Sequence, residues 1–233
     1  MPVSFSSMSD SASLNSGEGR RRRRYNAAGR RVQAVATRTK IIEAASRAFL
    51  DRGYSGATIP QIAADAGVAV ETVYRSASGK AGLLAAAVQA ALAGGVERAA
   101  QPVERRAGLR RVIDAPDARS ALHAYAATQP GVWSRVGPLL RVLESASAGD
   151  PALTDLRESL DQQRLAGMRR FADHLAGRQA LRAGLSVDRA ADVLWALCGR
   201  ANYDALVNDR GWTHDEFSQW LGQTLTAALL HLD

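Results

Sequence analysis

The sequence has little of what several classes of protein require. It contains a single cysteine, Cys198, so no disulfide can form within the chain. A lone cysteine is typical of a reducing compartment. No apolar run reaches the ~18 residues that a membrane-spanning helix needs, and the first residues lack the apolar core of a signal peptide. We therefore expect a cytoplasmic protein without a membrane partner.

Residue patterns for catalysis and metal binding are also missing. The four histidines are scattered, with no two of them three or four residues apart, and one cysteine cannot build a zinc cage. The chain has neither a glycine-rich phosphate loop nor a Gly-x-Ser-x-Gly elbow. We predict no metal, no cofactor and no enzymatic activity. An enzyme that carries a DNA-binding segment is the less favoured alternative. Cys198 is expected to fill core space, with an oxidation sensor as its alternative role.

The positive charge lies at one end of the chain. Residues 1–40 carry the whole net charge of +7, and the remainder sums to zero. Residues 1–31 are rich in Ser, Gly and Arg and show no helical period, so we predict a disordered basic arm there. The run Arg20–Arg24 either contacts DNA phosphates or is a solvated tail. If it contacts DNA, deleting residues 1–31 should weaken binding to all sequences alike and flatten its salt dependence.

The rest of the chain predicts an all-α fold. Alanine, leucine and arginine dominate, and no strand-like alternation of useful length occurs. Apolar spacing and cap residues predict a helix over about 32–51 and a second helix that starts at 58 and ends at a turn over 66–68. They predict further helices over 70–75, 80–93, 103–113, 117–129, 132–147, 151–176, 187–209 and 214–231.

Residues 58–80 have the pattern of a helix-turn-helix. Thr58 and Gln61 form a capping box, and Gly67 gives the turn its backbone freedom. The short helix that follows has Val73 as a buried anchor and small polar groups on its other face, which suits a major groove. We predict a DNA-binding domain over residues 32–80. The candidate DNA-contacting residues are Arg38, Thr58, Ala69, Val70, Glu71, Thr72, Tyr74, Arg75, Ser76 and Lys80.

The order and spacing of residues over this stretch resemble one known family. The residues that carry the resemblance are Ile42, Ala45, Phe49, Gly53-Tyr54, Thr58, Ile62-Ala63, Ala66-Gly67-Val68, Tyr74 and Lys80. They resemble the tetracycline-repressor (TetR) family of transcriptional regulators. Three positions depart from its usual pattern: Ala77 replaces an aromatic, Ala69 replaces a serine, and Glu71 replaces a small residue.

The resemblance implies a function and a division of the chain. It implies a three-helix DNA-binding head followed by a helical bundle over residues 81–233 for ligand binding and dimerisation. The expected protein is a homodimeric repressor that binds a palindromic operator in double-stranded DNA and is released by a small apolar effector. The alternative is a DNA-binding regulator with no small-molecule ligand, controlled by a protein partner.

The helices after residue 81 offer candidates for both functions. Aromatic, sulfur-containing and mildly polar residues on the central helices suit an apolar chamber, although simple core packing is the alternative reading. The pocket candidates are Trp133, Leu140, Met168, Phe171, His174, Trp195 and Cys198. Apolar stripes on the last two helices suit a four-helix dimer interface, with folding of the single subunit as the alternative. The interface candidates are Val193, Leu197, Phe217, Trp220, Leu221, Thr224, Leu225 and Ala228.

Overall fold

A computed structural model describes the backbone of residues 15–231 and the side chains of residues 29–231 except Glu104. Over that part of the chain the fold is all-α, as predicted, and its only β feature is an isolated bridge between Leu181 and Leu230. None of the described helices is both long and apolar enough to cross a lipid bilayer. The α-helices are α1 Asn15–Gly56, α2 Ile59–Ala66, α3 Val70–Ser76, α4 Gly79–Ala93, α5 Val96–Ala99, α6 Ala107–Ile113, α7 Ala118–Ala126, α8 Gln129–Ser147, α9 Pro151–Gly177, α10 Val187–Leu197, α11 Arg200–Tyr203 and α12 His214–Leu229.

The first helix begins earlier than predicted. It starts at Asn15 rather than near Val32, so the backbone is already helical over much of the stretch for which we predicted disorder. Arginine and alanine are good helix formers, and adding a turn to an existing helix costs far less than nucleating one. The predicted disorder of residues 1–14 and the predicted DNA contact of Arg20–Arg24 lie outside the described residues. At the other end, Gly53 has φ 69° and interrupts the helix.

Helices α1, α2 and α3 form the N-terminal head, closed by the start of α4. Phe49, Ile62 and Val73 are fully or almost fully buried in its core. Thr58 is the N-cap of α2, where its hydroxyl accepts a hydrogen bond from the Gln61 N–H at 3.4 Å. Gly67 takes the left-handed conformation that ends α2, with φ 65°. The predicted three-helix head with a helix-turn-helix is confirmed.

The remaining helices form a bundle that is continuous with the head. Helix α4 packs against both α1 and α8, while α9 packs on α10 and α12 packs on α7. The predicted single helix over 187–209 is wrong. It breaks at Cys198–Gly199, where the Gly199 backbone is extended, and a π-helical turn follows over 204–209. Asn202 stabilises the break, because its side-chain amide donates to the carbonyls of Ala196 and Leu197 at 3.0 and 2.9 Å.

Candidate DNA-binding surface and ligand cavity

Helix α3 presents one face to solvent and buries the other. Val73 is 1% exposed and anchors it, whereas Tyr74 is 58% exposed, which is unusual for so large an aromatic residue. Glu71 and Arg75 are also exposed, and Thr72 is half-buried. The Thr72 hydroxyl accepts a hydrogen bond from Arg75 Nη2 at 3.3 Å, which holds the two polar groups together on the outer face. This face carries donors and acceptors that can reach base edges or phosphates.

Several predicted contact residues hold the head together as well. Val70 is half-buried and packs against the core, so it supports α3 rather than facing outward. Ala69 leaves the N-terminus of α3 without a side-chain cap. The Ser76 hydroxyl donates to the Val73 carbonyl at 2.9 Å. Arg38, on α1, donates to the Ser76 carbonyl at the end of α3, so it ties the two helices together. Its exposed guanidinium has further N–H groups for a phosphate.

Lys80 lies at the start of α4, where the head meets the bundle. Its Nζ lies 4.5 Å from the centroid of the Tyr54 ring and donates to the Ser55 carbonyl at 3.3 Å. Burial lowers the pKa of Lys80 from its ordinary value. The Tyr54 hydroxyl donates to Asp150 Oδ2 in a long hydrogen bond of 3.5 Å. Asp150 is the N-cap of α9, so polar contacts run from Lys80 through Tyr54 to the bundle.

A cavity of about 1490 Å³ lies among α4, α6, α8, α9 and the end of α10. Its volume exceeds the ~300–1,000 Å³ of ordinary small-molecule pockets. Four of the seven predicted pocket residues line it, namely Trp133, Leu140, Met168 and Trp195. These four come from three different helices, so the cavity exists only because the bundle brings them together.

The other three predicted pocket residues do not line this cavity, and that part of the prediction is corrected. Phe171 packs behind Tyr125, with ring centroids 4.9 Å apart. His174 lies one turn beyond Phe171 on α9, where burial lowers its pKa and its Nε2 has no hydrogen-bond partner among the described residues. Cys198 is 1% exposed in the core. All three lie on the faces by which α9 and α10 pack into the bundle, and apolar residue type alone does not distinguish that face from the cavity wall.

The environment of Cys198 favours a structural role. Burial raises the pKa of its thiol to about 12. The reactive form of cysteine is the thiolate, which this burial suppresses at neutral pH. An oxidation sensor needs an accessible thiol with a low pKa. The structure therefore favours the core-filling role over the redox alternative.

The predicted dimer residues fall into two groups. Phe217, Leu221 and Leu225 are fully buried within the single subunit, where α12 packs on α7. They cannot contact a partner directly, which corrects that part of the prediction. The other five are partly exposed and form what we call the outer face of α10 and α12. It consists of Val193, Leu197, Trp220, Thr224 and Ala228.

The exposed face of α3, its buried anchor and the left-handed turn before it define a helix-turn-helix DNA-binding protein. The sequence model of "Bacterial regulatory proteins, tetR family" matches residues 41–87, which span the head. Residues 41–87 therefore match the DNA-binding segment of the tetR family of bacterial regulatory proteins. No curated protein matches its sequence at a significant level.

Solved structures share the fold of most of the chain at low sequence identity. NalD of Pseudomonas aeruginosa, described as the secondary repressor of the MexAB-OprM multidrug efflux pump, superposes with a TM-score of 0.64 at 20% identity, covering 85% of this chain and 98% of NalD. FadR of Bacillus subtilis, solved in complex with stearoyl-CoA, superposes with a TM-score of 0.62 at 17% identity, covering 82% of this chain and 98% of FadR. At this identity the likeness establishes a common fold.

Proposed function

We propose that the protein is a homodimeric repressor that binds a palindromic operator through α3 and leaves it when a small molecule occupies the cavity. The observation that carries the proposal is the position of α4. Val88 and Leu92, in its C-terminal half, line the cavity. Its N-terminus follows α3 after only two residues, Ala77 and Ser78. A ligand that displaces α4 therefore also moves α3, the helix that we propose contacts the operator.

Release requires two states that differ in the spacing of the two heads. A ligand shifts the equilibrium only by its difference in affinity for those states. Polar contacts connect the head to α9 as well, through Tyr54 and Asp150. Ligand and operator then oppose each other reciprocally, because each weakens the binding of the other by the same factor.

Two solved relatives support a response to small molecules. FadR of Bacillus subtilis carries stearoyl-CoA in its structure, and NalD is described as a repressor of a multidrug efflux pump. Both share this fold. The outer face of α10 and α12 supports the proposed dimer, because a two-fold interface needs one self-complementary apolar patch on each subunit.

The first test identifies the operator. Full-length protein is used to select duplexes from random DNA, and we expect a palindromic consensus with two half-sites.

A compound panel is then screened by thermal shift, and every compound that stabilises the protein is tested for release of the selected operator. A ligand that binds tightly but leaves operator affinity unchanged would reject the release mechanism. A panel in which no compound stabilises the protein favours control by a protein partner.

Two variants test whether the exposed face of α3 contacts the operator. Thr72→Ala and Tyr74→Ala should each weaken operator binding about tenfold or more, because each removes a group that faces the proposed groove. The matched control is Leu165→Ala, which truncates an exposed apolar side chain of α9 outside the cavity. All three variants should retain the wild-type melting temperature within a few degrees. Wild-type operator affinity in both head variants would place the reading surface elsewhere.

A further inference from the structure

The cavity wall carries an excess of positive charge that the sequence did not reveal. Among its described lining residues are three carboxylates and eight arginines, namely Arg98, Arg105, Arg106, Arg111, Arg135, Arg164, Arg170 and Arg200. Two of the carboxylates, Glu144 and Asp204, pair with Arg200. A cleft lined by charge of one sign with an apolar floor concentrates ligands of the opposite sign.

Arg164 is the most informative of these arginines. Its guanidinium carbon lies 4.0 Å from the centroid of the Trp195 ring and 5.8 Å from that of Trp133. The guanidinium also donates to the Trp195 carbonyl. No carboxylate of the described side chains lies within 4 Å of it. Arg164 is therefore a half-buried cation close to two indoles, with no ion-pair partner among the described side chains.

Two further donors at the cavity wall have no acceptor among the residues that the structure describes. Trp133 is 93% buried, since its exposed fraction is 7%, and its Nε1–H makes no hydrogen bond among the described residues. Arg106 Nε is buried and unpaired in the same way. A buried donor that lacks an acceptor costs about 1–3 kcal/mol, so such groups are rare unless something else satisfies them. Both residues line the cavity.

The same wall also carries apolar side chains. Leu92, Val132, Leu140 and Met168 line the same cavity with apolar surface. This surface suits a hydrocarbon or aromatic body, while Arg164 and the Trp133 indole suit a carboxylate oxygen. A simple inorganic anion leaves the apolar part unfilled, and a neutral hydrocarbon leaves the donors unpaired.

The geometry points to an amphipathic organic anion as the ligand of this cavity, with its acidic group at Arg164 and Trp133 and its apolar body against α4 and α8. The inference rests on the proposed function and refines the apolar effector expected from the sequence. Arg164 supplies the charge, and its contact with the Trp195 ring restricts the position of the guanidinium.

The test compares three probes that share a ten-carbon chain and differ in the charge of the head group. Decanoate, 1-decanol and decyltrimethylammonium are titrated into the full-length protein below their micelle concentrations, by calorimetry and tryptophan fluorescence. We expect the Kd of decanoate to be about tenfold lower than that of either other probe, since hydrogen bonds to a charged group are worth more than neutral ones. Added salt should weaken decanoate binding and leave decanol binding nearly unchanged. Equal or tighter binding of the alcohol or the cation would overturn the inference.

Two variants then test whether Arg164 binds the carboxylate of decanoate. Arg164→Gln should raise the Kd of decanoate about tenfold and leave that of decanol unchanged. Arg157→Gln is the matched control, because Arg157 is an exposed arginine of the same helix outside the cavity. An unchanged Kd for decanoate in a folded Arg164→Gln would also overturn the assignment. If this variant does not fold, the comparison of the three probes on the wild-type protein still tests whether the cavity prefers an anion, because it needs no substitution.

Failure of this inference can be told apart from failure of the proposed function. If an uncharged compound releases the operator while decanoate does not bind, the proposed function stands and the anion inference is wrong. If decanoate binds through Arg164 but leaves the operator in place, the anion site stands and the release mechanism is wrong.

Discussion

The ammonium of Lys80 lies above the ring of Tyr54, with 4.5 Å between Nζ and the ring centroid. One N–H of this ammonium is engaged by the Ser55 carbonyl, which leaves two donors for another acceptor. The contact joins the end of α1 to the start of α4. Lys80 can therefore act in two ways, as a phosphate contact or as a support for the position of α4.

Salt dependence separates these two functions of Lys80. Lys80→Gln should weaken operator binding and reduce the slope of log K against log salt by about one, because one phosphate contact is lost. Tyr54→Leu removes the ring beneath the ammonium and should weaken binding without a change in slope. The measurement is operator affinity at four or more salt concentrations. An unchanged slope in Lys80→Gln would mean that Lys80 is only an internal support.

The head was predictable from sequence because its determinants are local. The cap at Thr58, the glycine at 67 and the anchor at Val73 lie within 16 residues of one another, and each acts on its own neighbours. The cavity was less predictable. Nothing in the local sequence places Arg164 and Arg106 at its wall, and only the packing of α9 against α10 and of α6 against α7 brings them there. That packing depends on contacts between residues far apart in sequence.

The dimer residues show a related limit. Successive residues of a helix are about 100° apart, so Trp220 and Leu221 point to different faces although they are adjacent. Both belong to one broad apolar stripe, and the stripe does not say which edge faces a partner. The structure separates them, with Leu221 buried against the rest of the subunit and Trp220 partly exposed.

The contact between α7 and α12 depends on the absence of a side chain at Gly222. A Cβ at this position would lie 2.6 Å from Nδ1 and 3.1 Å from Cγ of His123. Gly222→Ala should therefore destabilise the protein by about 1–3 kcal/mol, the usual cost of overpacking. Gly167→Ala is the control, because its Cβ meets no atom closer than 3.9 Å and an alanine within a helix is favourable. Urea unfolding at one protein concentration measures both. A Gly222→Ala variant as stable as the wild type would show that the His123 ring moves aside at no cost.

The capping box of α12 makes the stability of the protein depend on pH. The Glu216 carboxylate accepts hydrogen bonds from the Thr213 N–H at 2.7 Å and from its hydroxyl at 2.8 Å, and these hold its pKa below the ordinary value. Since the folded pKa is lower than the unfolded one, the stabilisation is present above the ordinary value of about 4.3 and is lost as the pH falls through the folded pKa.

We expect this effect to appear in melting temperatures measured between pH 6 and pH 3. The melting temperature of the wild type should fall more steeply below pH 4.5 than that of Glu216→Gln, because glutamine carries no charge that acid could neutralise. Glu158→Gln is the control, because Glu158 is an exposed carboxylate on α9. If Glu216→Gln and the wild type lose stability in parallel, the cap does not contribute to the acid sensitivity.

The outer face of α10 and α12 predicts where dimerisation can be broken. Ala228 is partly exposed on this face, and a long charged side chain there can reach solvent in a monomer but not in a packed interface. Ala228→Arg should therefore convert the proposed dimer into a folded monomer, as measured by sedimentation velocity. Operator affinity should fall sharply with it, because two linked heads bind two half-sites far more tightly than one head does. Gln162→Arg places the same charge on an exposed position of α9 and should leave both properties unchanged. A dimeric Ala228→Arg with wild-type operator affinity would show that the subunits meet elsewhere.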